Sequence, residues 1–431
     1  IFKPLIPLAF ILIPLFMGIF YGFVTLILSF FNLEKNLSTI LLFAVIFSII
    51  EFIRGFILGG FPWNLIAYSW TNYVNFLQVL SYIGTYAFNL ISITIFLSPC
   101  IFFLKNNNKF KLSFIFFILI LLISNNFYGY QKIKNDEKLY TELKNLKIKI
   151  ISPKISIDRF FIPNNEGDII DELIELSNPN FLENTIFVFP EGALAGVNLS
   201  KLNNFKDKFL ERYSENHKII MGINNEKIIG NSLKTYNSLV VLDNKLNLEG
   251  EYNKIKLVPF GEFLPFEDFF KKFGLKKVGY GYESFSPGNK KNIIFTNLKD
   301  FNFIPSICYE IIYSGKINLK EHHTNFIINI SEDGWFGSSI GLHQHFSHNI
   351  FRAIEEGKNI IRSANNGISA YIDSNGIIIS RIESTKKGVI EIEKYKKFNV
   401  TLFSKFGNNI FFYILIFYFI LIFIIKRWEH R

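Results

Sequence analysis

From Pro4 to Phe31 the chain carries no charged residue, and three further stretches, Leu37–Ile50, Asn75–Leu104 and Leu112–Tyr130, are likewise uncharged. A fifth run, Gly407–Ile425, is closed by Lys426 and Arg427. A bilayer core of about 30 Å needs about 20 apolar residues in a helix. The first and third runs exceed that length, and the others reach it with their polar ends in the headgroup zone. A buried core helix of a water-soluble protein keeps a polar face, which these runs lack. The sequence therefore predicts a membrane-spanning bundle of about four helices over residues 1–130 and a last span within 407–431. Between them, residues 131–406 have the mixed character of a water-facing domain.

Lys and Arg fix the expected orientation. The loop Lys105-Asn-Asn-Asn-Lys109-Phe-Lys111 is the most basic between spans and is placed in the cytoplasm. The next span leads outward, residues 131–406 lie outside, and Lys426, Arg427 and Arg431 return to the cytoplasm. This order puts Ile1 outside, so an intact chain starting inside would have an odd number of further spans upstream. Between the second and third spans, Arg54-Gly-Phe-Ile-Leu-Gly-Gly-Phe-Pro-Trp suits an aromatic interfacial loop, with Glu51 and Arg54 one helical turn apart as a snorkelling pair.

The net charge of +10 would suggest nucleic acid if it lay on one face. It does not: residues 1–128 hold six basic and two acidic side chains and residues 407–431 three and one, leaving +4 for the whole outer domain. With two Cys in the chain, Cys100 at a cytoplasmic span end and Cys308 in the outer domain, no disulfide is expected.

In the outer domain short β-rich runs alternate with helical patterns, which predicts an α/β layered fold. Strands are expected at Leu146–Ser152, Thr185–Pro190, Lys218–Asn224, Ser238–Asp243, Asn292–Thr296, Phe303–Cys308, Phe326–Ser331, Asn359–Ser363, Ser369–Asp373 and Gly376–Arg381. Helices are expected at Asp168–Ser177, Lys201–Arg212 and His345–Glu356. Three segments place a reactive group where a buried strand ends. In FVFPEGA, Glu191 follows an apolar run that Pro190 terminates, and a carboxylate partly withdrawn from water suits a general base. In YNKIKLVPFGEFLP, Lys254 and Glu262 flank a hydrophobic strand end. In PSICYEII, Cys308 precedes a helical stretch whose backbone N–H groups are expected to favour a thiolate. A free thiol in an oxidising compartment is a liability unless it is used.

In this order Glu191, Lys254 and Cys308 resemble the Glu-Lys-Cys triad of the nitrilase (carbon–nitrogen hydrolase) superfamily. FPEGA, YNKIKLVPFGEFLP, ICYEIIY, GWFGSSIGLHQHF and the membrane segment RGFILGGFPW are similar to its membrane-bound branch, the apolipoprotein N-acyltransferases of bacteria. The resemblance implies a nitrilase-like α-β-β-α sandwich on the periplasmic side of the inner membrane. It implies Glu191 as base, Cys308 as nucleophile, and Lys254 with the backbone N–H of Tyr309 as oxyanion stabilisers. Glu262, Glu310 and Trp335 match supporting positions. No cofactor and no metal are implied. The implied partners are a phospholipid donor, phosphatidylethanolamine, and a diacylated lipoprotein acceptor, served by a monomer through a Cys thioester. The sequence departs from the family pattern in three places. Phe160 and Phe161 stand where the family carries a Trp, Ser331-Glu332-Asp333 replaces its Ser-Asn-Asp, and Leu342 stands in place of a Pro.

Other readings of the residues lead elsewhere. His343, His345 and His348, with His322 and His323 near, could serve a metal-dependent hydrolase. A membrane-anchored amidase or another N-acyltransferase would use the same triad. A transporter is disfavoured, because the spans hold few ionisable groups. The segment Phe266–Lys290 is expected to act as a lid or membrane-contact arm.

Overall fold

A computed structural model describes all residues except 1–5, 162–164, 268–283, 291, 297, 299–300, 318–323, 398 and 430–431. The chain forms two compact units, one of residues 1–135, 313–315 and 401–431 and one of residues 136–312 and 316–400.

In the first unit, five helices among the described residues are long and apolar enough to cross a membrane: Phe10–Ser29, Leu37–Arg54, Leu80–Phe103, Asn108–Leu139 and Asn409–Glu429. The Asn75–Leu104 run is broken. Gly84, at φ 72°, kinks the helix, and a Cβ there would meet the Phe403 ring at 2.0 Å. The helix Leu37–Arg54 has no capping side chain of its own at Asn36. Its first N–H groups are satisfied by Glu429, which accepts from Leu37 N at 2.9 Å and from the Ser38 hydroxyl at 2.5 Å. Glu51 and Arg54 pair at 3.4 Å, but both are buried, which corrects the expected snorkelling. Arg54 instead ties down the following loop through Phe61 O at 3.1 Å and Asn64 Oδ1 at 2.7 Å, while Asn89 donates to Glu51 at 2.6 Å. A charge buried this deep needs such partners, because desolvation is costly.

The second unit is a two-sheet sandwich. One sheet runs, in spatial order, Gly388–Ile392, Lys147–Ser152, Thr185–Val188, His217–Ile229, Ser232–Leu242 and Leu248–Asn253. The other runs Ile378–Ile382, Ser369–Ile372, Asn359–Asn365, Phe326–Glu332, Asn302–Ile307 and Ile294–Phe295. Period-two alternation sends Ile148, Ile150, Ile186, Val188 and Ile220 inward from the first sheet to meet Phe303, Ile307, Ile328, Ile330 and Ile361 of the second. Each such side chain is worth about 1.5–3 kcal/mol when fully buried. The opposite face of the first sheet (Ile151, Phe187, Ile219 and Met221) receives Ile170, Leu173 and Ile174 of the helix Glu166–Ser177. Gly341–Glu356 packs on the second sheet, against Asn359–Asn365 and Ser369–Ile372. The result is the expected α-β-β-α order.

Several local expectations need correction. Asn165 caps the first of these helices by accepting from Gly167 N at 3.1 Å, so it begins at Glu166 rather than Asp168. The expected helix Lys201–Arg212 is instead two short turns, Leu199–Leu202 and Lys206–Leu210. They are separated by a 3₁₀ turn whose Phe205 leaves helical geometry at φ −106°, ψ 12°. His217–Ile229 and Ser232–Leu242 pair as a hairpin well beyond the predicted ends.

Candidate active site

Parallel pairing gathers the chemistry. Thr185–Val188 lies parallel to both of its neighbours, and Asn302–Ile307 is parallel to Phe326–Glu332, which is parallel to Asn359–Asn365. Residues just past the carboxyl ends of such strands share one edge of the sandwich, where open α/β sheets place their ligands. Glu191, Cys308 and Glu332 all occupy such ends. Lys254 follows Leu248–Asn253 in the first sheet.

Pro190 ends the ladder while its carbonyl still accepts from Gly222 N at 3.3 Å. At Gly222 a Cβ would lie 2.6 Å from the Glu191 Cα, so only glycine lets that strand pass. The buried Glu191 carboxylate is held on both oxygens. Asn237 Nδ2 donates to Oε1 at 2.7 Å, and the Glu332 backbone N–H donates to Oε2 at 2.9 Å. Lys254 Nζ stands 3.4 Å from Glu191 Oε1 and 3.0 Å from Glu262. Asn237 also reaches Glu262, at 2.8 Å, and Val258 N donates to that residue's second oxygen at 2.8 Å. Burial alone would lower the Lys254 ammonium, but Glu191 and Glu262 outweigh it and hold the group above its ordinary range.

Cys308 sits at φ 49°, a left-handed conformation that costs a non-glycine residue about 1–3 kcal/mol. Glu310 offsets this strain. Its carboxylate accepts from Ile307 N at 3.0 Å, Ile255 N at 2.9 Å, Lys256 N at 3.2 Å and the Tyr252 hydroxyl at 2.7 Å. One buried acid thus joins the turn that carries Cys308 to the loop that carries Lys254. The expectation of a resident thiolate is corrected. The helical stretch after Cys308 is a five-residue 3₁₀ turn, Cys308–Ile312, containing Tyr309. Burial pushes the Cys308 thiol well above its ordinary value, and Glu191 pushes it further. Lys254 pulls the other way without cancelling them. A thiol so held needs a base to take its proton, and Glu191 is within electrostatic reach.

Behind Cys308 runs a buried polar chain. His345 Nε2 lies 3.2 Å from the Cys308 carbonyl oxygen and its Nδ1 lies 2.9 Å from Asp333 Oδ1. Arg362 Nη2 donates to Asp333 Oδ2 at 2.7 Å. Burial alone would raise the Asp333 carboxyl, but Arg362 and His345 hold it well below the usual carboxylate range. Among the described residues, donor atoms of Cys308, Asp333 and His345 come within 4.8 Å of one another. Asp333 and His345 are already committed to each other and to their neighbours, so the group reads as a hydrogen-bonded support. The expected cluster of His343, His345 and His348 does not converge: His343 is exposed on its helix while the other two are buried. His322, His323 and the core of the Phe266–Lys290 segment lie outside the described residues.

Trp335 is half exposed, with its ring 5.1 Å from Phe160 and 6.4 Å from Phe161. Phe160 and Phe161 therefore pack against the Trp335 ring. Sequence reasoning missed Asn237, Arg159 and Arg362, and it named Asp333 and His345 without linking them. Asn237 and Arg159 become relevant only through partners far away in the chain, which no local pattern reveals.

The carbon-nitrogen hydrolase family model matches residues 185–393, and the model of the apolipoprotein N-acyltransferase N-terminal domain matches residues 1–97. An apolipoprotein N-acyltransferase of Brucella melitensis is 29% identical over 90% of this chain and 73% of its own length. That of Rickettsia prowazekii is 31% identical over 96% of this chain and 82% of its own. A carbon-nitrogen hydrolase superfamily protein of Xanthomonas campestris, seen in a crystal structure, aligns with a TM-score of 0.40 at 14% identity. That alignment covers 58% of this chain and 90% of the other.

Proposed function

The chain belongs to the apolipoprotein N-acyltransferase family, and from that premise we propose that it moves an acyl chain from a phospholipid to the α-amino group of a diacylglyceryl-cysteine at a lipoprotein N-terminus. It is a membrane acyltransferase with a carbon-nitrogen hydrolase domain. Glu191 takes the proton of Cys308, and the thiolate attacks an ester carbonyl of the donor, phosphatidylethanolamine. Lys254 and the Tyr309 N–H stabilise the oxyanion. The tetrahedral intermediate collapses, the lysophospholipid oxygen leaves with the proton from Glu191, and a thioester remains on Cys308. The acceptor amine then attacks the thioester and gives a proton to Glu191. The Cys308 sulfur leaves and regains that proton, and an amide-linked acyl chain is the product.

The observation that supports this reading best is the buried Glu191 carboxylate, held on both oxygens and paired with the buried Lys254 ammonium, at the strand ends that also carry Cys308. A resident thiolate would be open to oxidation outside the cytoplasm. A thiol deprotonated on demand is protected between turnovers. Both substrates are anchored in lipid, which accounts for a hydrolase-like domain carried on membrane spans. The basic loop Lys105–Lys111 and the Lys426-Arg427 end support a catalytic domain on the periplasmic face of the inner membrane.

The test uses the purified full chain in mixed micelles with phosphatidylethanolamine and a diacylated lipopeptide. The lipopeptide is expected to gain one acyl chain on its terminal nitrogen, and Cys308→Ala should abolish the gain. Acylation that persists in that variant contradicts the proposal.

A further inference from the structure

Arg159 has no part in the proton transfers above, yet its buried guanidinium grips both sides of the proposed base. The residue lies in a 3₁₀ turn, Ile157–Phe160, just after the strand Lys147–Ser152. Nε and Nη2 donate to the carbonyl of Gly192, the residue after Glu191, at 3.0 and 2.8 Å. Nη2 also pairs with Glu332 Oε2, both side chains being almost fully buried. Nη1 anchors the group to its own loop at Ser156 O, at 2.8 Å. Glu332 in turn is the residue whose backbone N–H holds Glu191 Oε2 at 2.9 Å. Its carboxylate is further fixed by Gly334 N at 2.8 Å and Asn365 Nδ2 at 2.7 Å.

The backbone around the base needs this support. Gly192 sits at φ +60°, and a Cβ there would touch the Phe160 ring at 3.0 Å. Left unanchored, a glycine in that conformation is the natural place for the Glu191 loop to relax. One guanidinium therefore fixes the chain after the base and, through Glu332, the donor that aims one of its oxygens. Glu191 Oε1, by contrast, is held by Asn237 and Lys254. The two oxygens have separate supports, and Oε2 depends on Glu332.

We propose that Arg159 and Glu332 are a positioning pair that aims the Glu191 carboxylate at the Cys308 thiol. This rests on the triad reading above. Misplacing a catalytic group by about 1 Å costs up to about 100-fold in rate. The pair is therefore expected to govern the rate of Cys308 acylation and not the affinity for lipid.

The test compares wild type, Arg159→Met/Glu332→Gln and Glu191→Gln, each as the full chain in a Cys100→Ser background. Replacing both partners at once avoids leaving an uncompensated buried charge. Arg159→Lys, which keeps the charge but loses the two bonds to Gly192, serves if the double variant does not fold. The first readout is the pH dependence of Cys308 alkylation by iodoacetamide. Glu191→Gln should move its midpoint to lower pH, and the double variant should move it part of the way in the same direction. The second is single-turnover acylation by phosphatidylethanolamine, which should slow about 10–100-fold with an unchanged KM. A folded double variant with the wild-type alkylation midpoint and wild-type acylation rate overturns the proposal. Alkylation needs no lipid, so it decides the positioning role even if phosphatidylethanolamine proves not to be the donor.

Discussion

The Nζ of Lys254 lies 3.4 Å from Glu191 Oε1, in a position only 1% exposed, with Glu262 as its second counter-charge. Two carboxylates thus share one ammonium, and that ammonium leaves a net negative pocket facing a thiol. This arrangement keeps sulfur protonated at rest while retaining a cation for the oxyanion that forms later.

Lys254→Met should reduce acylation of Cys308 about 100–1,000-fold, as loss of an oxyanion donor does. It should also destabilise the fold by about 3 kcal/mol, because the buried Glu191 and the partly buried Glu262 lose their counter-charge. The folded-state pKa of Lys254 is raised. Its pairing therefore contributes fully below the unfolded value of about 10.4 and is lost only as pH rises through the higher folded value. The stability difference between wild type and variant should accordingly be flat from pH 6 to 9 in thermal unfolding scans.

Glu191→Gln should separate two properties that usually move together. Removing the carboxylate abolishes acyl transfer, because the base is gone. It also removes a charge that pushes the Cys308 thiol up, so iodoacetamide should alkylate Cys308 at lower pH than in wild type. A variant that is both inactive and harder to alkylate would contradict the assigned charge relationship.

Glu310 receives four donors from three segments, and its loss should be felt in both stability and rate. Glu310→Ala orphans three backbone N–H groups and releases the strained Cys308 turn. A loss of about 3 kcal/mol or more is expected in denaturant unfolding, with Glu310→Gln intermediate.

Much of this site was legible in the sequence because strand ends carry a one-dimensional signature. An apolar run followed by Pro190-Glu191, or closed by Cys308, announces where a buried strand stops. The sandwich was legible for the same reason, from runs apolar on both faces such as Phe326–Ser331. What the sequence concealed has a physical cause in each case. The hairpin ends near Ile229 and Ser232 project beyond the core and carry no burial pattern. Leu248–Asn253 and Gly388–Ile392 were missed because charged or polar residues interrupt them. The Arg159–Glu332 pair spans most of the catalytic domain, and no local pattern links its members. The thiol's raised pKa depends on how three strand ends meet, which spacing alone does not encode.

Asp333→Asn tests the support behind the nucleophile. The Asp333 carboxyl is depressed in the fold, so its stabilising contribution is present above the unfolded pKa of about 3.9 and is lost as pH falls through the folded value. The variant should be less stable than wild type by about 3 kcal/mol at pH 7, because Arg362 loses its counter-charge and one of the two acceptor oxygens becomes an amide N–H. Thermal unfolding should show that gap constant above about pH 5 and narrowing below pH 4.

The central claim is that Cys308 carries the acyl chain, and one measurement addresses it directly. Full-length protein incubated with phosphatidylethanolamine, without acceptor, is digested and the Cys308 peptide weighed before and after neutral hydroxylamine. The account predicts a fatty-acyl mass on Cys308 that hydroxylamine removes and that a diacylated lipopeptide discharges. No adduct on Cys308, or the same adduct in Cys308→Ala, would contradict it.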